Sequence, residues 1–141
     1  MEKYYRQVFY YETDKMAIVH NANYLRIFEE ARLFFMERIG VPYPQIEEAG
    51  ILIPQVEAYV RYHQTLKYGD EFYVAVSLSE FNGARMKYLY EIHRASDEEL
   101  IATGFTSHCF VDEVKRLPLS LKRHIPDAYE KMKQNTEAQQ G

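Results

Sequence analysis

Cysteine is almost absent from this chain. Cys109 stands alone among 141 residues, so no disulfide can close within the chain. Neither a disulfide-stapled secreted domain nor a Cys-rich metal site is indicated. A lone thiol of this kind reads as a small buried residue. Tryptophan is missing altogether, and glycine and proline are sparse. No stretch is low in complexity, and neither a linker nor an internal repeat is found. A basic excess is lacking too: 17 Lys and Arg stand against 21 Asp and Glu, for a net charge of −4. That balance argues against a general nucleic-acid partner, while leaving room for a local basic patch on a phosphorylated ligand. No apolar run is long enough to span a bilayer. The first residues, Glu2-Lys3-Tyr4-Tyr5-Arg6, are too polar for a signal peptide. The expectation is a soluble cytoplasmic protein with no membrane partner. There is no Gly-rich phosphate loop, no Gly-x-Ser-x-Gly elbow and no serine triad pattern. His63, His93, His108 and His124 are scattered without metal-ligand spacing. No metal and no bound cofactor are expected.

What the chain has in quantity is tyrosine and phenylalanine, thirteen and eight residues. Tyrosine suits half-buried surfaces, such as ligand clefts and subunit interfaces. The length suits a single domain with a real core, here placed at residues 1–134, with a polar, frayed tail at 135–141.

The pattern predicts a first strand over Tyr4 to Tyr11 and a long helix from Ala22 to Ile39. Its end is marked by Gly40, with Pro42 and Pro44 beyond. Tyr24, Leu25, Ile27, Phe28, Ala31, Leu33, Phe34, Phe35, Met36 and Ile39 cover more than one face of that helix, which predicts burial nearly all round. A helical turn is expected near Ile46. From Ile51 the period changes to two. Val56, Ala58, Val60 and Tyr62 share one face of a strand. Phe72, Val74, Val76 and Leu78 share the next, after a Gly69-Asp70 turn. Met86, Tyr88, Tyr90 and Ile92 share a third, after an Asn82-Gly83 hairpin. Leu100 to Val111 is the last long strand, and Ser120 to Lys133 a terminal helix with Pro126 in its first turn. One helix against a mostly antiparallel sheet makes this an α+β domain of two layers, the sheet wrapped around the helix.

Asp14 is the leading candidate for chemistry. It lies just upstream of the long helix, whose first turn carries unpaired N–H donors and a partial positive charge. A carboxylate there can serve as a base or as a nucleophile. Asn21 and Asn23 are placed to cap that helix. The backbone N–H groups of residues 21 to 24 could stabilise a developing negative charge. Glu29 is read as a structural partner of Arg32 or Arg26. Lys67, Arg85, Lys115 and Arg116 are possible phosphate contacts.

The run Asp14-x-x-Ala17-Ile18-Val19-His20-x-Ala22-Asn23-Tyr24, followed by Phe28-Glu29-x-Ala31-Arg32, resembles the signature of the 4-hydroxybenzoyl-CoA thioesterase-like branch of the hotdog-fold acyl-CoA thioesterases. Gly69-Asp70 and Arg116-Leu117-Pro118 extend the likeness along most of the chain. The resemblance implies the hotdog fold and hydrolysis of an acyl-CoA thioester, with coenzyme A as part of the substrate. It implies Asp14 as base or nucleophile, the N–H of Asn21 as the group that polarises the carbonyl, and Ala17, Ile18, His20 and Tyr24 beside the substrate. It also implies a homodimer joined edge to edge, or a homotetramer. Two positions depart from the family pattern: Ala17 stands where Gly is usual, and Asn21 where related bacterial enzymes often have His. The same fold serves thioesterases acting on acyl carrier protein, hydratases and dehydratases. A non-catalytic acyl-CoA-binding protein is a further alternative.

Overall fold

The structure is a computed structural model that describes residues 1–136. A five-stranded antiparallel sheet holds the strands in the order β1-β4-β5-β6-β3. These are β1 (Glu2–Gln7), β3 (Gln55–Tyr62), β4 (Glu71–Phe81), β5 (Arg85–Arg94) and β6 (Leu100–Cys109). The long helix α1 (Asn23–Arg38) packs across the sheet, and a short α2 (Tyr43–Glu48) follows it. A separate two-stranded ladder pairs β2 (Ile51–Leu52) with β7 (Val111–Asp112). The helices α3 (Leu121–His124) and α4 (Pro126–Gln134) close the described chain.

The meander β4-β5-β6 follows from turn chemistry. Gly83 adopts φ +89°, a conformation that suits a residue without Cβ. The Asn82 side-chain oxygen accepts the N–H groups of Ala84 and Arg85 at 2.9 and 2.7 Å. The expected inward faces are confirmed on β4 and β5: Phe72, Val74, Val76, Leu78, Met86, Tyr88, Tyr90 and Ile92 are all buried. α1 lays Tyr24, Ile27, Phe28, Ala31, Arg32, Phe35 and Met36 against them. That is a stripe at helical spacing.

Several expectations are corrected. α1 is not enclosed all round, because Leu25, Arg26, Glu29, Leu33, Glu37 and Arg38 are exposed on its outer side. β3 buries neither face, since only Val60 is half-covered while Val56 and Tyr59 stay 61% and 49% exposed. It is an edge strand with β6 as its one neighbour among the described residues. β4, in contrast, is covered on both faces. Its outward Tyr73 lies under Lys3, Tyr5 and His93 from the flanking strands. The last long strand ends at Cys109, which is half-buried. The terminal helix is two helices, broken at Ile125 with φ −137° and ψ 79°. A proline drives the residue before it out of helical geometry, so Pro126 opens α4 instead of continuing α3. In the expected tail, Asn135 and Thr136 are bonded to the last turn of α4, and residues 137–141 lie outside the described residues. No helix among the described residues is long and apolar enough to cross a membrane.

Two details fix the distance between layers. Phe28 stacks on Tyr90 with centroids 4.2 Å apart, over the gap left by Gly104. A Cβ at residue 104 would fall on the Tyr59 carbonyl oxygen and 2.6 Å from a Phe28 ring carbon. Beside that stack runs a buried polar chain. Arg32 donates to the Tyr90 hydroxyl (3.0 Å), which shares a hydrogen with Thr106 (2.6 Å). Thr106 in turn meets His108 Nε2 at 2.9 Å.

Gly104→Ala should cost about 1–3 kcal/mol, because overpacking a tight core forces backbone and ring to shift; a denaturant melt measures it. His108 supplies a pH test. Burial, and secondarily the Arg32 charge, hold its imidazole down to about 4. Free histidine titrates near about 6.5. Between those values the unfolded chain takes up a proton that the folded chain refuses, so stability is full above about 6.5 and is lost as pH falls toward about 4. The contribution is at most about 3 kcal/mol. His108→Gln should flatten that part of the stability-against-pH curve relative to wild type.

Candidate active site

The site is built from the segment between β1 and α1. The strand expected to run to Tyr11 stops at Gln7, and Tyr10–Glu12 form a single 3-10 turn. The reason is a buried ion cluster. Arg6 and Glu12 pair directly, their side chains only 6% and 5% exposed. The same guanidinium donates to both carboxylate oxygens of Glu30 at 2.9 and 3.2 Å. Glu12 also accepts the Phe9 N–H at 2.8 Å, which bends the chain away from the sheet. Tyr4 donates to Glu30 at 3.0 Å. Burial, then the Glu30 charge, push the Tyr4 phenol up to about 12. Glu29, expected to pair with Arg32 or Arg26, forms no ion pair among the described residues. The partner on this helix is Glu30, and Arg32 turns inward to Tyr90.

Beyond Glu12 the chain makes a small hairpin. Thr13 and Val19 face each other in an antiparallel bridge. Asp14 sits at the neck, half-buried. Its N–H donates to the Ile18 carbonyl (2.9 Å), its carbonyl accepts from Ala17 (3.0 Å), and its Oδ1 accepts from Met16 (2.7 Å). Its second carboxylate oxygen has no partner among the described residues. Ala17 adopts φ +64°, a left-handed conformation that costs a residue with a Cβ about 1–2 kcal/mol. The backbone at this position therefore has the geometry that favours glycine, although the residue is alanine. Ile18 bridges to Lys67, and Val19 donates to Leu66 at 2.8 Å.

The helix entrance follows. The Glu12 carbonyl accepts both the His20 N–H and the Asn23 side-chain amide, each at 2.9 Å. Neither asparagine caps the helix. Ala22 occupies the cap position, and no side-chain cap bond comes from it. Asn23 is turned to Glu12, and Ala22's N–H goes instead to His20 Nδ1 at 3.0 Å. Asn23 N–H is held by the His20 carbonyl (2.9 Å) and Tyr24 N–H by the Asn21 carbonyl (3.3 Å). The N–H of Asn21 has no acceptor among the described residues. Tyr62, from the end of β3, donates to the Asn21 carbonyl at 3.4 Å. Its ring meets Tyr24 edge-on at 5.1 Å. Tyr24 is buried, and burial followed by Tyr62 pushes its phenol up to about 12.

Asp14, Ala17, Ile18, His20, Asn21 and Tyr24 thus share one hairpin and helix entrance. Of the basic candidates, Lys67 adjoins this hairpin. Arg85 opens β5, at the end of the sheet away from it, and Lys115 and Arg116 follow β7 beyond that same end. Arg6, Glu12 and Glu30 escape a reading by spacing, since they are scattered in sequence and look like ordinary surface charges. Tyr62 escapes it too, being 41 residues from its partner.

Known proteins resemble this chain along most of its length. The model of the Thioesterase-like superfamily matches residues 8–134. A Bacillus subtilis protein, YneP, named provisionally as an acyl-CoA thioesterase, is 35% identical over 130 residues, covering 90% of this chain and 94% of its own. The 1,4-dihydroxy-2-naphthoyl-CoA hydrolase of Thermosynechococcus vestitus is 27% identical over 128 residues, covering 90% and 84%. The crystal structure of a DHNA-CoA thioesterase from Staphylococcus aureus superimposes with a TM-score of 0.90 at 30% identity, covering 94% of this chain and 88% of that one. A sheet curled on one long helix, an acid-bearing hairpin at that helix's start and a family match along nearly the whole chain lead to one conclusion: the chain belongs to the Thioesterase-like superfamily of hotdog-fold thioester hydrolases.

Proposed function

We propose that the protein hydrolyses the thioester bond of an acyl-CoA to the free acid and coenzyme A, with Asp14 and the Asn21 N–H as its working groups. The observation that carries the reading is the free Asn21 N–H at the start of α1, beside a hairpin that holds the half-buried Asp14 carboxylate. Attack on a thioester carbonyl moves negative charge onto its oxygen. A fixed donor at a helix N-terminus stabilises that charge where it develops. Asp14 takes the proton of the attacking water, or attacks the carbonyl carbon itself and forms an anhydride that water opens. In either route the carbon–sulfur bond breaks and the thiolate leaves as coenzyme A, taking up a proton. The acyl-CoA activities after which the Bacillus and Thermosynechococcus relatives are named support the substrate class.

A dehydratase on this fold needs a histidine paired with an acid. His20 Nδ1 is occupied by a backbone N–H, and His20 forms no bond to a carboxylate among the described residues, which favours hydrolysis. We further propose a homodimer or homotetramer. β3 leaves an unpaired edge and carries exposed Val56, Tyr59 and Tyr62. Exposed edges of this kind invite pairing with another chain.

Four outcomes are expected. Asp14→Asn should abolish thiol release from acyl-CoAs while folding and binding of a non-hydrolysable analogue persist; turnover within about tenfold of wild type would remove Asp14 from the mechanism. Asn21→Pro, shown folded, should lose about a hundred- to a thousandfold in turnover, as loss of one oxyanion donor does. Asn21→Ala keeps the N–H and should lose less than about tenfold, so equal damage in both variants would shift the role to the side chain. Sedimentation velocity at micromolar protein should give at least a dimer, and a monomer would contradict the edge-pairing argument.

A further inference from the structure

Residue 20 is bonded three times at the entrance of α1. Its N–H donates to Glu12, its carbonyl accepts from Asn23, and its Nδ1 accepts from Ala22. An N–H can be accepted only by a ring nitrogen without a hydrogen, so the geometry assigns the neutral tautomer with its hydrogen on Nε2. The imidazole therefore stands in for the side-chain oxygen that caps most helices. Neither nearby asparagine takes that part.

The consequence is selective. Ala22, Asn23 and Tyr24 each have their N–H occupied, while those of Asn21 and Leu25 have no acceptor among the described residues. Were the ring absent, the Ala22 N–H would be a further free donor, one peptide from that of Asn21. It would compete for the same oxygen, or hold a water against it, and the peptide planes around residue 21 would lose one restraint.

We propose that His20 is a positioning residue: by occupying the neighbouring Ala22 N–H, its ring frees the Asn21 N–H from that competitor and holds it in place. This role stands beside the substrate-contacting one that family resemblance implies for His20. It rests on the acyl-CoA hydrolysis reading above. With Nδ1 engaged, only the Nε2 edge of this exposed ring remains open to a ligand.

The test compares wild type with His20→Leu, which has no acceptor, and His20→Asn, whose side-chain oxygen can reach the N–H two residues on. Steady-state kinetics on one acyl-CoA and amide hydrogen exchange at residue 22 are read for each. His20→Leu should lose about tenfold or more in kcat with KM within about threefold, the pattern of an interaction realised in the transition state. His20→Asn should recover most of that loss. The residue 22 amide should be protected in wild type and His20→Asn and exposed in His20→Leu. Equal impairment in both variants, a rise confined to KM, or a residue 22 amide that exchanges equally fast in all three would overturn the proposal. If His20→Leu does not fold, His20→Gln takes its place, its longer side chain being unsuited to the same turn. Wild-type protein that releases no thiol from any acyl-CoA, and is unchanged by Asp14→Asn, would overturn the hydrolysis reading itself. The amide exchange would then still report whether the ring caps the helix.

Discussion

The buried guanidinium of Arg6 holds three parts of the molecule together. It comes from β1, and its partners are Glu12 of the 3-10 turn and Glu30 of α1. Removing a charge from water costs several kcal/mol unless good geometry and further hydrogen bonds compensate. Here Phe9 and Tyr4 supply those further bonds. With the ion cluster satisfied, the strand, the turn and the helix have one arrangement in which no charge is left unpaired. The Asp14 hairpin is suspended between the last two of these elements.

Glu12 connects that constraint to the chemistry. Its carboxylate belongs to the ion cluster, and its carbonyl binds His20 and Asn23 at the helix entrance. A single residue therefore anchors both the acid-bearing hairpin and the free N–H of Asn21. Rigid support of this kind matters for hydrolysis, since a donor aids catalysis only when it is already aimed at the place where charge will develop.

The core obeys a different logic. Phe28 over Gly104 sets how closely α1 approaches the sheet, and Arg32 carries a buried charge met by tyrosine hydroxyl in place of a carboxylate. Arg32 donates only, so the chain through Tyr90 and Thr106 to His108 is polarised away from the guanidinium. This chain joins α1 to β5 and β6 on the inner face of the sheet.

Local signals made the elements legible. Alternation in β4 and β5, the glycine turns and the stripe of α1 all arise from neighbours in sequence, and such periods survive without knowledge of the fold. The Asp14 to Tyr24 run was legible as a motif, so the hairpin and helix entrance that the proposed chemistry uses could be located in advance. The bonding of those residues could not. That Glu12 is buried, that Asn23 is turned to Glu12 and leaves the cap to His20, and that Tyr62 reaches Asn21 all depend on groups brought together across 6 to 41 residues. The exposure of β3 depends on where the sheet ends, and the coverage of β4 on which strands flank it. Composition and period determined the α+β layers, and a motif resemblance located the proposed acid. Only the tertiary structure decided which polar groups are paired, because pairing depends on distance in space and periodicity reports distance along the chain.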